Sequence, residues 1–145
     1  MSDPKAIASL AVNGGPPARP AAGEGTPMEA REAIFAYSQS EKAKAGLLMV
    51  AQLLEVYQGI PEHEKHGLER FLRPLIGMIA SEIQLARRIA PADSWTGIER
   101  SLNTALVMMN SGVPAEAGWH IVQAISGATT IGQRAMERLQ ELRLL

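Results

Sequence analysis

The stretch Glu62-His63-Glu64-Lys65-His66-Gly67 sets two of the chain's three histidines one helical turn apart among carboxylates, with Glu69 close behind. Imidazoles and carboxylates at that spacing could ligate a metal ion, transfer a proton near neutral pH, or form the hydrated first turn of a helix. A helical wheel separates these uses. Leu68, Phe71, Leu72, Leu75, Met78, Ile79, Ile83 and Ala86 fall on one stripe at about 100° per residue. His63 and His66 project to the opposite side, with Arg70, Arg73, Ser81, Gln84 and Arg88. His120 falls likewise with Gln123, Arg134 and Arg138, away from the stripe of Ile121, Val122, Ile125, Ala128, Thr129, Gly132, Ala135, Met136 and Leu139. Metal sites in helical bundles use side chains that project inward. The pattern therefore argues against a metal and for a solvated helix start, with an intermolecular or pH-sensing role as the alternative.

Other chemistry is sparse. The chain has no cysteine, which removes disulfides, thiolate catalysis and cysteine-based zinc or iron–sulfur centres. No serine sits in a nucleophile elbow. Gly127-Ala-Thr-Thr-Ile-Gly132 spaces two glycines as a phosphate loop does, but lacks the Lys and the Ser or Thr that would follow, and it lies inside a helical pattern. Ala124, Ala128 and Gly132 recur every four residues, which suits close approach of a neighbouring backbone, or a local hinge. Glu82, at the edge of the Leu68–Ala86 stripe, is the one carboxylate that burial could perturb; reaching solvent or pairing with an Arg is the simpler expectation. The sequence thus predicts no enzyme and no cofactor.

The elements that carry these residues are delimited by Pro, Gly and capping residues. Residues 1–25 combine a weakly apolar stretch at 5–12, a candidate docking motif, with a Pro/Gly/Ala-rich run that reads as a flexible tail. Residues 26–145 read as the helical domain. Thr26 and Glu29 form a capping-box pattern with Pro27 suited to the first helical position, so a first helix is predicted to about Gln58, with a break possible at Ser38–Ser40. A second runs from Pro61 to about Ala90 with Pro74 inside, and a third from Asp93 or Ser94 to about Ser111. The fourth extends from Pro114 to the C-terminus. Short connections predict an all-α, four-helix up-down-up-down bundle with long helices. The third helix is clearly the shortest, so a break, fraying or a partner chain must make up the difference.

Composition agrees with this fold. Of the 145 residues 46% are apolar, yet only two each are Trp, Tyr and Phe, and Val and Thr are scarce, so a core of Leu, Ile, Met and Ala is implied. Met49, Met78, Met108, Met109 and Met136 are expected to fill it. Trp95 and Trp119, near the starts of helices three and four, are expected to plug the two ends. No run reaches about 20 apolar residues, so no membrane span is expected, and the short N-terminal apolar run does not resemble a signal peptide. Together with the absence of cysteine, this favours a cytoplasmic setting. The formal charge of −1, with both signs interspersed, argues against nucleic acid. Arg70, Arg73, Arg87 and Arg88 are the only candidate basic contacts.

The first helix carries the strongest pointer to function. Across residues 45–57 Leu47, Met49, Val50, Leu53, Leu54, Val56 and Tyr57 cover more than half the circumference, leaving Lys44, Gln52 and Glu55, with Glu41 before them, as a polar edge. A helix apolar nearly all round is buried nearly all round. Leu47, Val50, Leu53, Leu54 and Tyr57 are therefore expected to meet a protein partner or a second copy, and Val50→Glu or Leu53→Glu to lower the oligomer mass without loss of helicity. The sequence points to a non-enzymatic interaction module: an assembly factor, a chaperone-like adaptor or a small subunit of a larger complex. The alternatives are a sensory or small-apolar-ligand-binding bundle, with Pro74, Gly77, Gly127 and Gly132 loosening the packing, and a nucleic-acid-contacting subunit of a ribonucleoprotein complex.

Overall fold

The computed structural model describes residues 28–90 and 93–145, which form four helices: α1 (Ala30–Gly59), α2 (Glu62–Ile89), α3 (Asp93–Asn110) and α4 (Pro114–Glu141). Among these residues there is no strand, so the all-α fold is as the sequence predicts. The tail, its 5–12 motif and the Thr26–Pro27 cap lie outside the described residues.

α1 begins three residues later than Pro27. Glu29 is its N-cap in extended conformation (φ −66, ψ 156) and makes no side-chain cap bond. The Met28 carbonyl instead accepts a hydrogen bond from Arg138 Nε at 2.7 Å, which ties the helix start to the far end of α4. α1 then runs unbroken through Ser38–Ser40. The Ser40 hydroxyl donates to the Tyr37 carbonyl at 2.8 Å, inside its own helix, instead of starting a new one. α2 likewise continues through Pro74. The carbonyl that Pro74 deprives of a partner belongs to Arg70, and both residues are exposed, so water can take the missing bond. α3 ends where the sequence places a stop. Gly112, at φ 78, supplies a left-handed residue, and the bonds from Gly112 N to Met109 O (3.2 Å) and Val113 N to Met108 O (2.9 Å) complete a Schellman motif.

The core follows a narrow seam. Buried positions advance in steps of three and four: Ala33, Ala36, Ser40, Ala43, Leu47, Val50, Leu54 and Tyr57 on α1; Leu72, Ile76, Ile79, Ile83, Ala86 and Ala90 along α2 and its cap; Trp95, Ile98, Leu102, Ala105 and Met109 on α3. α4 contributes Ala117, Ile121, Ala124, Ala128, Ile131, Ala135 and Leu139 in the same rhythm. That period of 3.5 is the packing of left-handed bundles. α1 and α3 each pack on α2 and on α4, with no packing across either diagonal.

Residue pairs fix the direction of the neighbours. Tyr57–Glu69 and Lys42–Glu82 show α1 and α2 antiparallel, and Met28–Arg138 with Ser40–Gly132 show the same for α1 and α4. The small-residue seam on α4 does bring backbones together: a Cβ added to Gly132 would lie 2.9 Å from Ser40 Oγ. Gly77 has the opposite environment, with nothing within 4 Å of an added Cβ. Gly77→Ala is therefore expected to raise the thermal midpoint, by up to about 1 kcal/mol of helix propensity.

Several apolar residues assigned to the core are not in it. Phe71 is 72% exposed, Met78 67%, Met49 55% and Val122 52%. Each sits one position beside the 3–4 seam, on the flank that turns toward solvent, although Leu53, Leu68 and Leu75 in the same flanking rows still pack partly against the core. Met109 is buried as expected. Trp95 closes the end of the bundle next to Ala36, Ala90 and Ile131, but Trp119 is 61% exposed and plugs nothing. It stands edge-on to His120, ring centres 4.9 Å apart.

Candidate interaction surface

His63 and His66 stand in solvent at the start of α2. The His63 and His66 side chains are 81% and 78% exposed, each with a carboxylate oxygen no nearer than 3.9 Å. No group of three His, Cys, Asp or Glu side chains among the described residues could hold a metal ion. What this helix start does is pin α2 to α1. The Tyr57 hydroxyl, at the end of α1, donates to the Glu69 carboxylate, and Lys65 Nζ lies 5.4 Å from the centre of the Tyr57 ring. The hydrogen bond to Glu69, then burial, then the negative charges of Glu69 and Glu62 push the Tyr57 pKa from 10.0 up to about 12, with Arg73 opposing. The protonated phenol is the form the fold favours. Its contribution to stability is complete below pH 10 and disappears as the pH rises through about 12. Glu69→Gln is expected to bring the Tyr57 transition back toward the ordinary phenol range in an ultraviolet titration.

The basic candidates do not form one patch. Arg73 lies 3.5 Å from Glu69, and Arg87 is paired with Glu99 of α3 at 2.7 Å. Arg70 and Arg88 are exposed, 18 residues and about 27 Å apart along α2 at 1.5 Å per residue. Glu82, the carboxylate singled out above, pairs with Lys42 at 3.1 Å on the solvent side of the α1–α2 seam.

The residues assigned to a partner contact fall mostly inside the chain's own core. Leu47 and Val50 are 0% exposed, Leu54 and Tyr57 are buried, and Leu53 is half-buried. Val50→Glu would thus strike the bundle itself. The apolar surface that remains is different. Lys42 and Glu82 mark one side of the α1–α2 seam. Met49 and Val56 follow Lys42 at steps of seven on α1, and Leu75 and Met78 precede Glu82 by two turns and one turn on α2. Steps of seven return to nearly the same side of a helix. Met49, Leu53, Val56, Phe71, Leu75 and Met78 therefore form one apolar surface across the outer side of these two helices.

α2 makes the pattern explicit, because it carries two adjacent seams. Leu72, Ile76, Ile79, Ile83, Ala86 and Ala90 build the core. Leu68, Phe71, Leu75, Met78, Glu82, Leu85 and Ile89 advance by the same steps of three and four just beside them, and Phe71, Met78, Leu85 and Ile89 stand in solvent. α3 does not shelter the first half of α2. It has 18 residues against the 28 of α2. From the Arg87–Glu99 contact, the C-terminal end of α3 at Asn110 reaches only to about Ile76 of α2.

Trp95 is fully buried, its indole N–H has no acceptor among the described residues, and it lines a cavity of about 50 Å³ with Ser94, Glu32 and Arg134 at its rim. No described helix is long and apolar enough to cross a membrane. Among the described residues, fold and surface together define a four-helix bundle with an exposed heptad seam on one side. Compared with known families, curated proteins and solved structures, the chain matches none.

Proposed function

We propose that this chain is a non-enzymatic interaction module whose docking surface is the outer side of the α1–α2 hairpin. The observation that carries the reading is the second seam of α2, exposed at Phe71, Met78, Leu85 and Ile89. Single exposed apolar residues need no explanation, but a heptad-spaced row of them is the pattern by which helices recognise other helices. Burying such side chains contributes roughly 1.5–3 kcal/mol each, enough for a row of four to drive association. An adaptor, assembly factor or small subunit would use the surface in this way, and the cysteine-free composition supports a cytoplasmic setting.

The test compares the native protein with Met78→Glu in extracts of its own cells. The wild type is expected to migrate in size-exclusion chromatography well above its 15.6 kDa, and Met78→Glu to lose that excess while keeping its circular dichroism. Migration of both at the size of one chain would reject the reading.

A further inference from the structure

We infer that the occupant of the α1–α2 surface is a second copy of this chain, related by a two-fold axis parallel to the helices; this rests on the docking reading above and names its partner. The argument starts from the one polar interruption in the α2 seam. Glu82 occupies a position that is otherwise Leu, Phe, Leu, Met, Leu and Ile, and its partner Lys42 occupies the matching place on α1. A charged residue within a heptad seam weakens association with an apolar helix, but it selects register and orientation in a partner that answers it.

A second copy answers it in one orientation. An axis parallel to the bundle sets α1 of one copy over α2 of the other and leaves every residue at its own height. Lys42 and Glu82 lie at the same height, since they touch within one hairpin. Each lysine then faces the partner's glutamate, and the four charges alternate around a square. The same operation sets the level of Met49 over that of Leu75 and Met78, and the level of Val56 over that of Phe71 and Leu68. The antiparallel registers follow from the Tyr57–Glu69, Gly46–Ile79 and Lys42–Glu82 contacts. At these levels, between the charged square and the Tyr57 end, apolar side chains meet apolar side chains; beyond the square Leu85 lies near the level of Gln39 and Ile89 near that of Phe35. An axis perpendicular to the helices fails both conditions. It stacks α1 on α1 and α2 on α2, so it either opposes lysine to lysine and glutamate to glutamate or slides the charged pair onto apolar side chains.

The face is modest in size. α1 and α2 side by side present a surface about 20 Å wide, at about 10 Å per helix. The row from Phe71 to Ile89 runs about 27 Å at 1.5 Å per residue, so each copy contributes a footprint of about 540 Å², below the roughly 800 Å² per partner of an ordinary stable interface and in the range of a weaker, concentration-dependent dimer.

The experiment is sedimentation velocity on the purified full chain over a range of concentrations, with circular dichroism as the control for folding. The wild type is expected at twice the 15.6 kDa of one chain, and Phe71→Glu at one chain with unchanged helicity. Lys42→Glu and Glu82→Lys are each expected to weaken the dimer at least tenfold, because each produces a square of like charges. The double variant, which exchanges the two charges, is expected to restore it. A purified wild type that stays at one chain overturns the inference. If that same protein migrates as a larger species in native extract, the docking reading survives with a different partner. A dimer indifferent to Phe71→Glu, or singles and double variant that all behave alike, would also overturn it.

Discussion

Leu47→Ala is expected to lower the unfolding free energy by about 2–5 kcal/mol, measured by urea denaturation followed by circular dichroism. Leu47 is fully enclosed between α1's own neighbours, at 0% exposure, and contributes to the same seam as Val50 and Leu54. Its removal leaves a cavity in a core made mostly of Ala, Leu and Ile, with few long side chains able to relax into it. The result discriminates between two roles for the residue. A Leu47 that served only to meet a partner would lie on the surface of the isolated chain, and truncating it there would change stability by no more than about 0.5 kcal/mol. A loss of 2 kcal/mol or more places the residue in the bundle's own core.

Gly132→Val is the second large effect, expected to destabilise by about 1–3 kcal/mol or more through overpacking. The glycine stands where α4 presses against α1, and the first carbon of any side chain would sit 2.9 Å from Ser40 Oγ. Ser40 has little room to move. It is 1% exposed, and its hydroxyl is bonded to the Tyr37 carbonyl within the helix. A valine therefore has to push α1 and α4 apart along the seam built by Ala36, Ala43, Ala128 and Ala135. Thermal unfolding measures it, and Gly77→Ala in the same series should move the midpoint in the opposite direction. A Gly132→Val chain as stable as wild type would mean that the α1–α4 contact is looser than the close approach requires.

These two residues show what a reading of the sequence gets right and where it fails. The four-residue recurrence of Ala124, Ala128 and Gly132 was legible as a site of close approach, because small residues on one helix face have a local signature. Leu47 was legible as buried, but its partner was misassigned. The reason is visible on both helices of the hairpin. α1 has a core seam from Ala33 to Tyr57, and beside it Lys42, Gly46, Met49, Leu53, Val56 and Ile60 at the same steps of three and four. α2 has a core seam from Leu72 to Ala90 and the second row from Leu68 to Ile89. Two adjacent heptad rows project as one broad apolar arc, so on a helical wheel Phe71 and Met78 look as buried as Leu72 and Ile79. The same merging made α1 look apolar all round and shifted the candidate surface onto residues that the chain covers itself.

The amino-acid sequence by itself determined the fold class, the number of helices among the described residues and most of their ends, because Gly, Pro and the 3.5-residue rhythm act through the backbone within a turn or two. It also determined that the histidine cluster lies on a wet face and that the third helix is too short to match its neighbours. Only the tertiary structure decided which of two equivalent rows on α2 faces inward, and that Tyr57 and Glu69 lock the hairpin. Burial depends on which helix lies alongside, and that is settled by contacts between residues distant in the chain, such as Ser40 with Gly132 and Lys42 with Glu82, which no local pattern encodes.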